Sequence, residues 1–174
     1  MIHAYTGEGK GKTTCAIGLL VRAFGAGKKV IVIFFDKGSE TYRHNELVSL
    51  DRLGIEYHVT GLERMEPNGK FRFGVTEGDK REALRGIAVA ENAIKIDKFD
   101  LVVLDEALSS VTYGLLDKSI LEKLIDDTPN STELVLTGRC NDKELLDKCD
   151  LVTSMTKEKH YFDKGVQARP GIEY

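Results

Sequence analysis

A glycine-rich stretch near the amino terminus, TGEGKGKTT at residues 6–14, carries residue types that can hold phosphate groups. It follows the Walker A pattern of a loop ending in Gly-Lys-Thr, but it is one residue shorter because Thr6 stands where the usual pattern has its first glycine. Glycines leave the backbone N–H groups of Gly7–Gly11 open to phosphate, Lys12 can neutralise phosphate charge, and the Thr13 hydroxyl can reach Mg²⁺. The sequence therefore predicts a compact phosphate-binding loop.

A second chemical signal is the acidic pair at the end of FDLVVLDE, where Asp105 and Glu106 follow an apolar run. Taken alone, such a pair is better explained as a helix N-cap followed by an acid in the first turn. Together with a phosphate-binding loop, it predicts the carboxylate that holds the metal of a bound Mg-nucleotide. The sequence leaves open which of the two carboxylates binds the metal directly.

Two arginines are candidates for phosphate contacts. Arg139 comes just after the apolar run LVLT, at the edge of the sheet where phosphates should lie, although a surface arginine after a turn explains it equally well. Arg22 shares a helical face with Thr14 and Gly18, but spacing alone slightly favours a solvated helix arginine.

The composition excludes several classes of protein. The 174 residues carry a formal charge of −3, so the chain lacks the basic character of a nucleic-acid-binding protein. Its 3 cysteines include no CxxC pair, and its 4 histidines have no metal-binding or catalytic spacing. No stretch approaches the roughly 18 apolar residues of a membrane span. We expect a single cytoplasmic domain over residues 1–174, with no nucleic-acid or membrane partner.

The elements that must position these residues alternate between short apolar runs and helical patterns, which is typical of βαβ units and a mainly parallel sheet. We predict strands over residues 2–6, 30–35, 55–59, 101–104, 134–136 and 151–152. We predict helices over residues 13–24, 45–53, 79–96, 120–125 and 142–146. Residues 61–78 are polar, rich in glycine and without a period, so we expect a functional or mobile loop there. The fold class expected is α/β.

Four segments carry a family resemblance: YTGEGKGKTTCAIGLLVRAFGAGKKV, DLVVLDEALSSVTYGLL, ELVLTGR and LVTSMTKEKHYFDKGVQARPGIEY. In this order they closely resemble the ATP:corrinoid adenosyltransferases. The resemblance implies a P-loop NTPase fold of RecA-like type, with three α/β/α layers. It also implies transfer of the 5′-deoxyadenosyl group of ATP to Co(I) of a corrinoid, with release of tripolyphosphate.

The resemblance also implies roles for individual residues. Metal ligands are expected at Thr13 and Glu106 for Mg²⁺ or Mn²⁺, and the catalytic residues Lys12, Thr13, Arg22 and Arg139 are expected to act on the triphosphate. The nucleotide-binding loop is placed at Gly7, Glu8, Gly9, Lys10, Gly11, Lys12, Thr13 and Thr14.

Family members use aromatic residues of the loop before the long helix to displace the lower axial ligand of cobalt. Phe73 occupies such a place, and Phe71 lies beside it. The expected partners are ATP, a reduced corrinoid, a flavoprotein reductase that donates electrons, and a second copy of the chain in a homodimer.

Two other functions fit the same residues. A P-loop kinase would pass the γ-phosphate of ATP to a small metabolite, although we find no clear base that would activate the acceptor. A non-catalytic, ATP-gated corrinoid carrier or regulator would bind both ligands without forming a carbon–cobalt bond.

Overall fold

The computed structural model of the chain describes residues 1–39, 43–66, 69–95 and 98–173. Strands and helices alternate along most of these residues, as the hydrophobic pattern predicted, and two helices lie between the fourth and fifth strands. The strands are β1 (Ile2–Thr6), β2 (Val30–Phe34), β3 (Glu56–Val59), β4 (Leu101–Asp105), β5 (Glu133–Thr137) and β6 (Leu151–Ser154). The helices are α1 (Lys12–Gly25), α2 (Asn45–Leu53), α3 (Glu77–Lys95), α4 (Ala107–Thr112), α5 (Lys118–Asp126) and α6 (Lys143–Asp147), and a 3₁₀ turn follows at Tyr161–Lys164.

All six strands are parallel and form one sheet in the order β3-β2-β4-β5-β1-β6. Strands β2 and β4 lie inside the sheet and every residue of both is buried, which explains why they appear in the sequence as continuous apolar runs. Because the strands are parallel, their carboxyl ends meet at one edge of the sheet, and the loops that follow β1, β2, β4 and β5 lie there together.

Helices cover both faces of the sheet. Ala16 and Leu20 of α1 and Leu47 and Leu50 of α2 pack in one apolar cluster. The other cluster receives side chains from α3, α4, α5 and α6. The result is the three-layer α/β/α arrangement expected of a P-loop NTPase fold, so the predicted fold class is confirmed.

The structure corrects several predicted boundaries. Helix α4, which the sequence analysis missed, follows β4 directly. Strand β6 is four residues long and exposed throughout, since it pairs only with β1 at the edge of the sheet. Helix α3 begins at Glu77 rather than at residue 79, and the predicted end at Ile96 lies outside the described residues.

The predicted irregular loop is present before α3, but ion pairs tie it to the body of the protein. Arg64 Nε donates to both carboxylate oxygens of Asp36 at 2.8 and 2.9 Å. Arg72 donates through two nitrogens to Asp79, at 2.9 and 2.7 Å, and Met65 and Phe71 form an isolated antiparallel bridge. We name residues 61–76 the aromatic loop. Among the described helices, none has the length and apolar composition required to cross a bilayer.

Candidate active site

The glycine-rich loop connects β1 to α1 and requires glycine at several positions. Gly7 and Gly11 have positive φ angles of 97° and 114°, which residues other than glycine rarely adopt. A Cβ atom on Gly7 would lie 2.4 Å from the carbonyl oxygen of Met155, and one on Gly9 would lie 2.7 Å from that of Thr156. The N–H of Gly9 also donates to Met155 O at 2.7 Å. The loop therefore packs closely against the backbone that follows β6, which leaves no room for side chains at Gly7 and Gly9.

The ammonium group of Lys12 folds back over this loop. Its Nζ donates to the carbonyl oxygens of Gly7 and Gly9, at 2.8 Å each. Burial lowers the pKa of Lys12, the carboxylate of Glu106 acts to raise it, and the charge of Arg139 acts to lower it again. A lysine held over the glycine-rich loop, with acidic and basic groups near it, is suited to bind an anion in place of the two carbonyl groups.

A cavity of about 580 Å³ opens at the carboxyl edge of the sheet, beside this loop. Lys10, Gly11, Lys12, Thr13 and Thr14 form one wall of it, and the first turn of α2 forms another. Glu106 and the last described residues of the chain, 171–173, complete the lining. Five of the eight predicted loop residues and one of the two predicted carboxylates therefore face a common space, whereas Gly7, Glu8 and Gly9 are not part of the lining.

The structure separates the two candidate metal ligands. Asp105 is fully buried, and its carboxylate accepts from Lys37 Nζ at 2.6 Å and from Thr137 Oγ1 at 2.7 Å. Glu106 has a left-handed backbone with φ 62°, and its N–H donates to the same Thr137 oxygen at 2.9 Å. Its side chain lines the cavity, whereas Asp105 does not. Of the pair, Glu106 is the carboxylate that can reach a ligand.

Thr13 and Glu106 provide the donor chemistry that Mg²⁺ prefers. A hydroxyl and a carboxylate are hard oxygen ligands, and Mg²⁺ is usually held by one or two carboxylates together with phosphate oxygens rather than by a cage of protein groups. Consistent with this, the part of the chain that the structure describes contains no cluster of three or more His, Cys, Asp or Glu side chains able to hold a metal by themselves. The residues present therefore fit a metal that arrives with a nucleotide.

Lys37 is a cavity residue that the sequence analysis missed. It follows β2, lines the cavity and pairs with Asp105 from β4. Burial acts to lower the pKa of Lys37, but the carboxylates of Asp105, Glu46 and Glu106 together outweigh this effect, and the pKa lies above its usual value. The only local signal was a lysine directly after a buried strand, and its partner is 68 positions away.

The two predicted arginines take different places. Arg139 follows β5, as expected, and lies over the glycine-rich loop, where its Nε pairs with Glu8 Oε2 at 2.8 Å. Its Nη1 also donates to the hydroxyl of Tyr113 at 3.0 Å. Arg22 lies on the exposed side of α1, and the cavity lining does not include it. The structure brings Arg139 to the loop and does not bring Arg22 to the cavity.

The carboxyl-terminal residues reach the loop through Lys10, a contact that the sequence analysis did not predict. Lys10 Nζ donates to Tyr161 OH at 2.9 Å, to Ile172 O at 2.7 Å and to Glu173 Oε1 at 2.7 Å. The described part of this ending, residues 171–173, thereby becomes one wall of the cavity. Its function could not be identified from spacing, because its partner lies near the opposite end of the chain.

The two aromatic candidates lie away from this cavity. Phe71 is 48% exposed and Phe73 is 86% exposed, and their ring centroids are 5.1 Å apart in an edge-to-face arrangement. Neither residue lines the cavity or the smaller one of about 290 Å³ beside it, which is bordered by Phe35, Tyr113 and Glu106. They remain candidates for contact with a large ligand that covers the site from outside.

The whole chain is similar to proteins of one known family. Residues 1–174 match the family model described as ATP:corrinoid adenosyltransferase BtuR/CobO/CobP. The corrinoid adenosyltransferase of Escherichia coli strain K12 is 34% identical over 176 residues, which cover 100% of this chain and 85% of the relative. The values are the same for the corrinoid adenosyltransferase CobA of Salmonella typhimurium strain LT2. A corrinoid adenosyltransferase of Sinorhizobium sp. is 31% identical over 182 residues, covering 100% of this chain and 80% of the relative.

Proposed function

We propose that this chain, which belongs to the ATP:corrinoid adenosyltransferase family and is a transferase, moves the 5′-deoxyadenosyl group of ATP to Co(I) of a corrinoid and releases tripolyphosphate. The observation that carries the proposal is the common cavity of the glycine-rich loop, Thr13 and Glu106. This arrangement can bind a triphosphate and its metal together. The second carboxylate, Asp105, is held away from them by Lys37.

The reaction requires positioning and leaving-group stabilisation rather than acid–base chemistry. Co(I) is a strong nucleophile, and its electron pair forms the bond to C5′ while the C5′–O bond breaks. The oxygen takes the bonding pair, so negative charge grows on the α-phosphate as the whole triphosphate leaves. Preorganised donors aimed at that charge are then the main catalytic contribution of the protein.

The residues of this chain can supply those donors by exchanging partners. Lys12 would give up the carbonyl oxygens of Gly7 and Gly9 for phosphate oxygens, and Arg139 would give up Glu8. Thr13 and Glu106 would hold Mg²⁺ or Mn²⁺, which neutralises phosphate charge when bound. We also propose that Arg22 contacts phosphate, which would require movement at the exposed side of α1.

Phosphorus NMR tests this reaction directly. Purified protein supplied with ATP, Mg²⁺ and chemically reduced corrinoid should produce tripolyphosphate and adenosylcorrinoid in equal amounts. Lys12→Ala should lose both products together, by about 10²–10³-fold in rate, while remaining folded. Formation of ADP from ATP at a rate that does not depend on corrinoid would instead support a kinase. Binding of both ligands without formation of a carbon–cobalt bond would support a carrier.

We further propose that the chain works in the cytoplasm as a homodimer and receives reduced corrinoid from a flavoprotein reductase. All three cysteines are free, as a reducing compartment favours. The uncovered edge strand β6 offers a surface for a second copy. Light scattering after size-exclusion chromatography should give twice the chain mass of 19.3 kDa, and a mass of 19.3 kDa would rule out the homodimer.

A further inference from the structure

The hydrogen bonds of Lys10 raise a question about how the site binds and releases anions. An ammonium group has three N–H donors, and Lys10 has three acceptors, all from the segment of residues 155–173, which we name the C-terminal segment. The Lys10 side chain is 37% exposed and that of Glu173 is 17% exposed. Lys10 therefore cannot bind a phosphate oxygen without giving up a bond to this segment.

Glu173 does not depend on Lys10 alone. Its Oε2 accepts from the backbone N–H of Arg169 at 2.8 Å and from Arg169 Nε at 3.3 Å. Its Oε1 accepts from Arg169 Nη2 at 3.3 Å and from the hydroxyl of Tyr161. Arg169 first, and then Lys10 and Tyr161, hold the pKa of Glu173 well below its usual range, so the carboxylate is charged at neutral pH. If Lys10 turned away, Glu173 would keep a cationic partner.

The position of Lys10 and Glu173 makes an exchange of partners by Lys10 relevant to the reaction. Lys10 and Glu173 line the same cavity as Lys12, Thr13 and Glu106. A triphosphate bound there would attract Lys10, and it would face the negative charge of Glu173 across the cavity. Opposite and like charges at partly desolvated sites interact more strongly than in water. The site is therefore organised around an ion pair between Lys10 and Glu173 that a bound triphosphate would oppose.

We propose that Glu173 competes with the triphosphate for Lys10, so that the C-terminal segment acts as a latch that lowers affinity for triphosphate and promotes its release. This inference rests on the proposed function. When ATP binds, Lys10 moves to phosphate and the contact between the C-terminal segment and the loop weakens. After transfer, Lys10 returns to Glu173, and tripolyphosphate loses one of its cationic partners. Glu173 is thus a residue that sets product release without touching the reacting atoms.

Calorimetric titration with Mg²⁺-tripolyphosphate, in the absence of corrinoid, tests the competition. Glu173→Gln should lower the dissociation constant about two- to fivefold, the range of a partly exposed ion pair. Lys10→Ala should raise it, and in the Lys10→Ala background the Glu173→Gln change should have a clearly smaller effect, because only the direct repulsion between Glu173 and the triphosphate is then left to relieve. Glu158→Gln is the matched control, because it removes the same charge from an exposed position of the C-terminal segment outside the cavity lining.

Three results would overturn the latch. Weaker binding by Glu173→Gln would mean that Glu173 helps to build the site. Equal tightening with and without Lys10, or equal tightening by Glu158→Gln, would mean that net charge rather than competition controls affinity. Adenosylcorrinoid formation by the unchanged protein is measured in parallel. If the unchanged protein forms adenosylcorrinoid and any of these three results is found, the latch alone is wrong. If the unchanged protein neither forms adenosylcorrinoid nor binds Mg²⁺-tripolyphosphate, the proposed function fails together with the latch.

Discussion

Asp105 and Glu106 are neighbours in the chain, yet the backbone between them turns their side chains to opposite environments. The left-handed conformation of Glu106, φ 62°, costs a residue other than glycine about 1 kcal/mol or more. In exchange, Asp105 stays in the sheet against Lys37 and Thr137, while Glu106 faces the cavity. Backbone strain at the end of a buried strand commonly marks a functional position. The two carboxylates should therefore respond differently to the same conservative change.

We predict that Glu106→Gln keeps the stability of the protein but loses Mg²⁺-dependent binding of ATP, because the amide is a poor ligand for a hard cation. Asp105→Asn should instead destabilise the protein by about 3 kcal/mol, since it leaves the charge of Lys37 buried without its carboxylate. Urea unfolding measures the stability of both variants, and calorimetric titration with Mg-ATP measures their Mg²⁺-dependent binding of ATP. The two variants serve as controls for each other, as each replaces one carboxylate with its amide.

A reversal of these effects would contradict the assignment. If Asp105→Asn abolished Mg²⁺-dependent binding at unchanged stability while Glu106→Gln bound normally, the metal ligand would be Asp105, and Lys37 would have to move on ligand binding.

Among the elements, the aromatic loop joins β3 to α3 and is held at both ends. Arg64 pairs with Asp36 after β2, and Arg72 pairs with the buried Asp79 in the first turn of α3. Thr76 adds two more hydrogen bonds to Asp79, from its N–H at 2.8 Å and from its hydroxyl at 2.7 Å. These anchors fix where the loop leaves the protein while leaving Phe73 on the outside. Such an arrangement can present an aromatic ring to a large ligand.

We predict that Phe73→Ala slows adenosylation from Co(II) corrinoid more than from chemically prepared Co(I) corrinoid. If the ring displaces the lower axial ligand of cobalt, it acts on reduction and not on attack at C5′. The measurement is the initial rate with each starting state. Phe162→Ala, at an exposed phenylalanine of the C-terminal segment outside the aromatic loop, is the matched control. Equal slowing from both states would indicate general damage to corrinoid binding and would remove the proposed role.

Much of the element pattern could be predicted because periodicity is a local property. Strands β2 and β4 contain continuous apolar runs, and α2 matched its predicted bounds. Helix α4 was missed for a local reason as well: its six residues, ALSSVT, are too few for a helical period and include two serines. Both serines are buried, and Gly138 packs so closely against Ser109 that a Cβ on Gly138 would lie 2.4 Å from Ser109 N.

The parts of the candidate site that could not be predicted depend on pairs of residues far apart in the chain. The glycine-rich loop and the acidic pair were found because each has a short motif next to a strand. Lys37 pairs with Asp105, 68 positions away, and Lys10, although predicted as part of the loop, pairs with Glu173, 163 positions away. Spacing along a single sequence carries no information on such pairs, although the resemblance of the GIEY ending to a family had marked it as distinctive.

At the scale of the whole molecule, the three cysteines report on different surroundings. Cys15 is exposed on α1, whereas Cys140 is buried and Cys149 is partly buried against the apolar cluster on the other face of the sheet. Burial raises the pKa of the Cys149 thiol to about 11 and also raises that of Cys140. The thiolate is the form that reacts with alkylating reagents. The three thiols of the folded protein should therefore react with alkylating reagents at clearly different rates.

We predict that iodoacetamide at pH 8 modifies Cys15 first and the buried Cys140 more slowly. Cys149 should react slower by about 10²-fold or more, because a thiol of pKa about 11 is ionised to only about one part in a thousand at that pH. Peptide mass spectrometry after timed quenching measures the three rates. In concentrated urea the rates should converge, since unfolding removes the burial that raises the pKa. Raising the pH of the folded protein toward 11 should speed Cys149 before unfolding occurs. If Cys149 reacted as fast as Cys15 in the folded protein at pH 8, the packing of α6 against the sheet would be wrong.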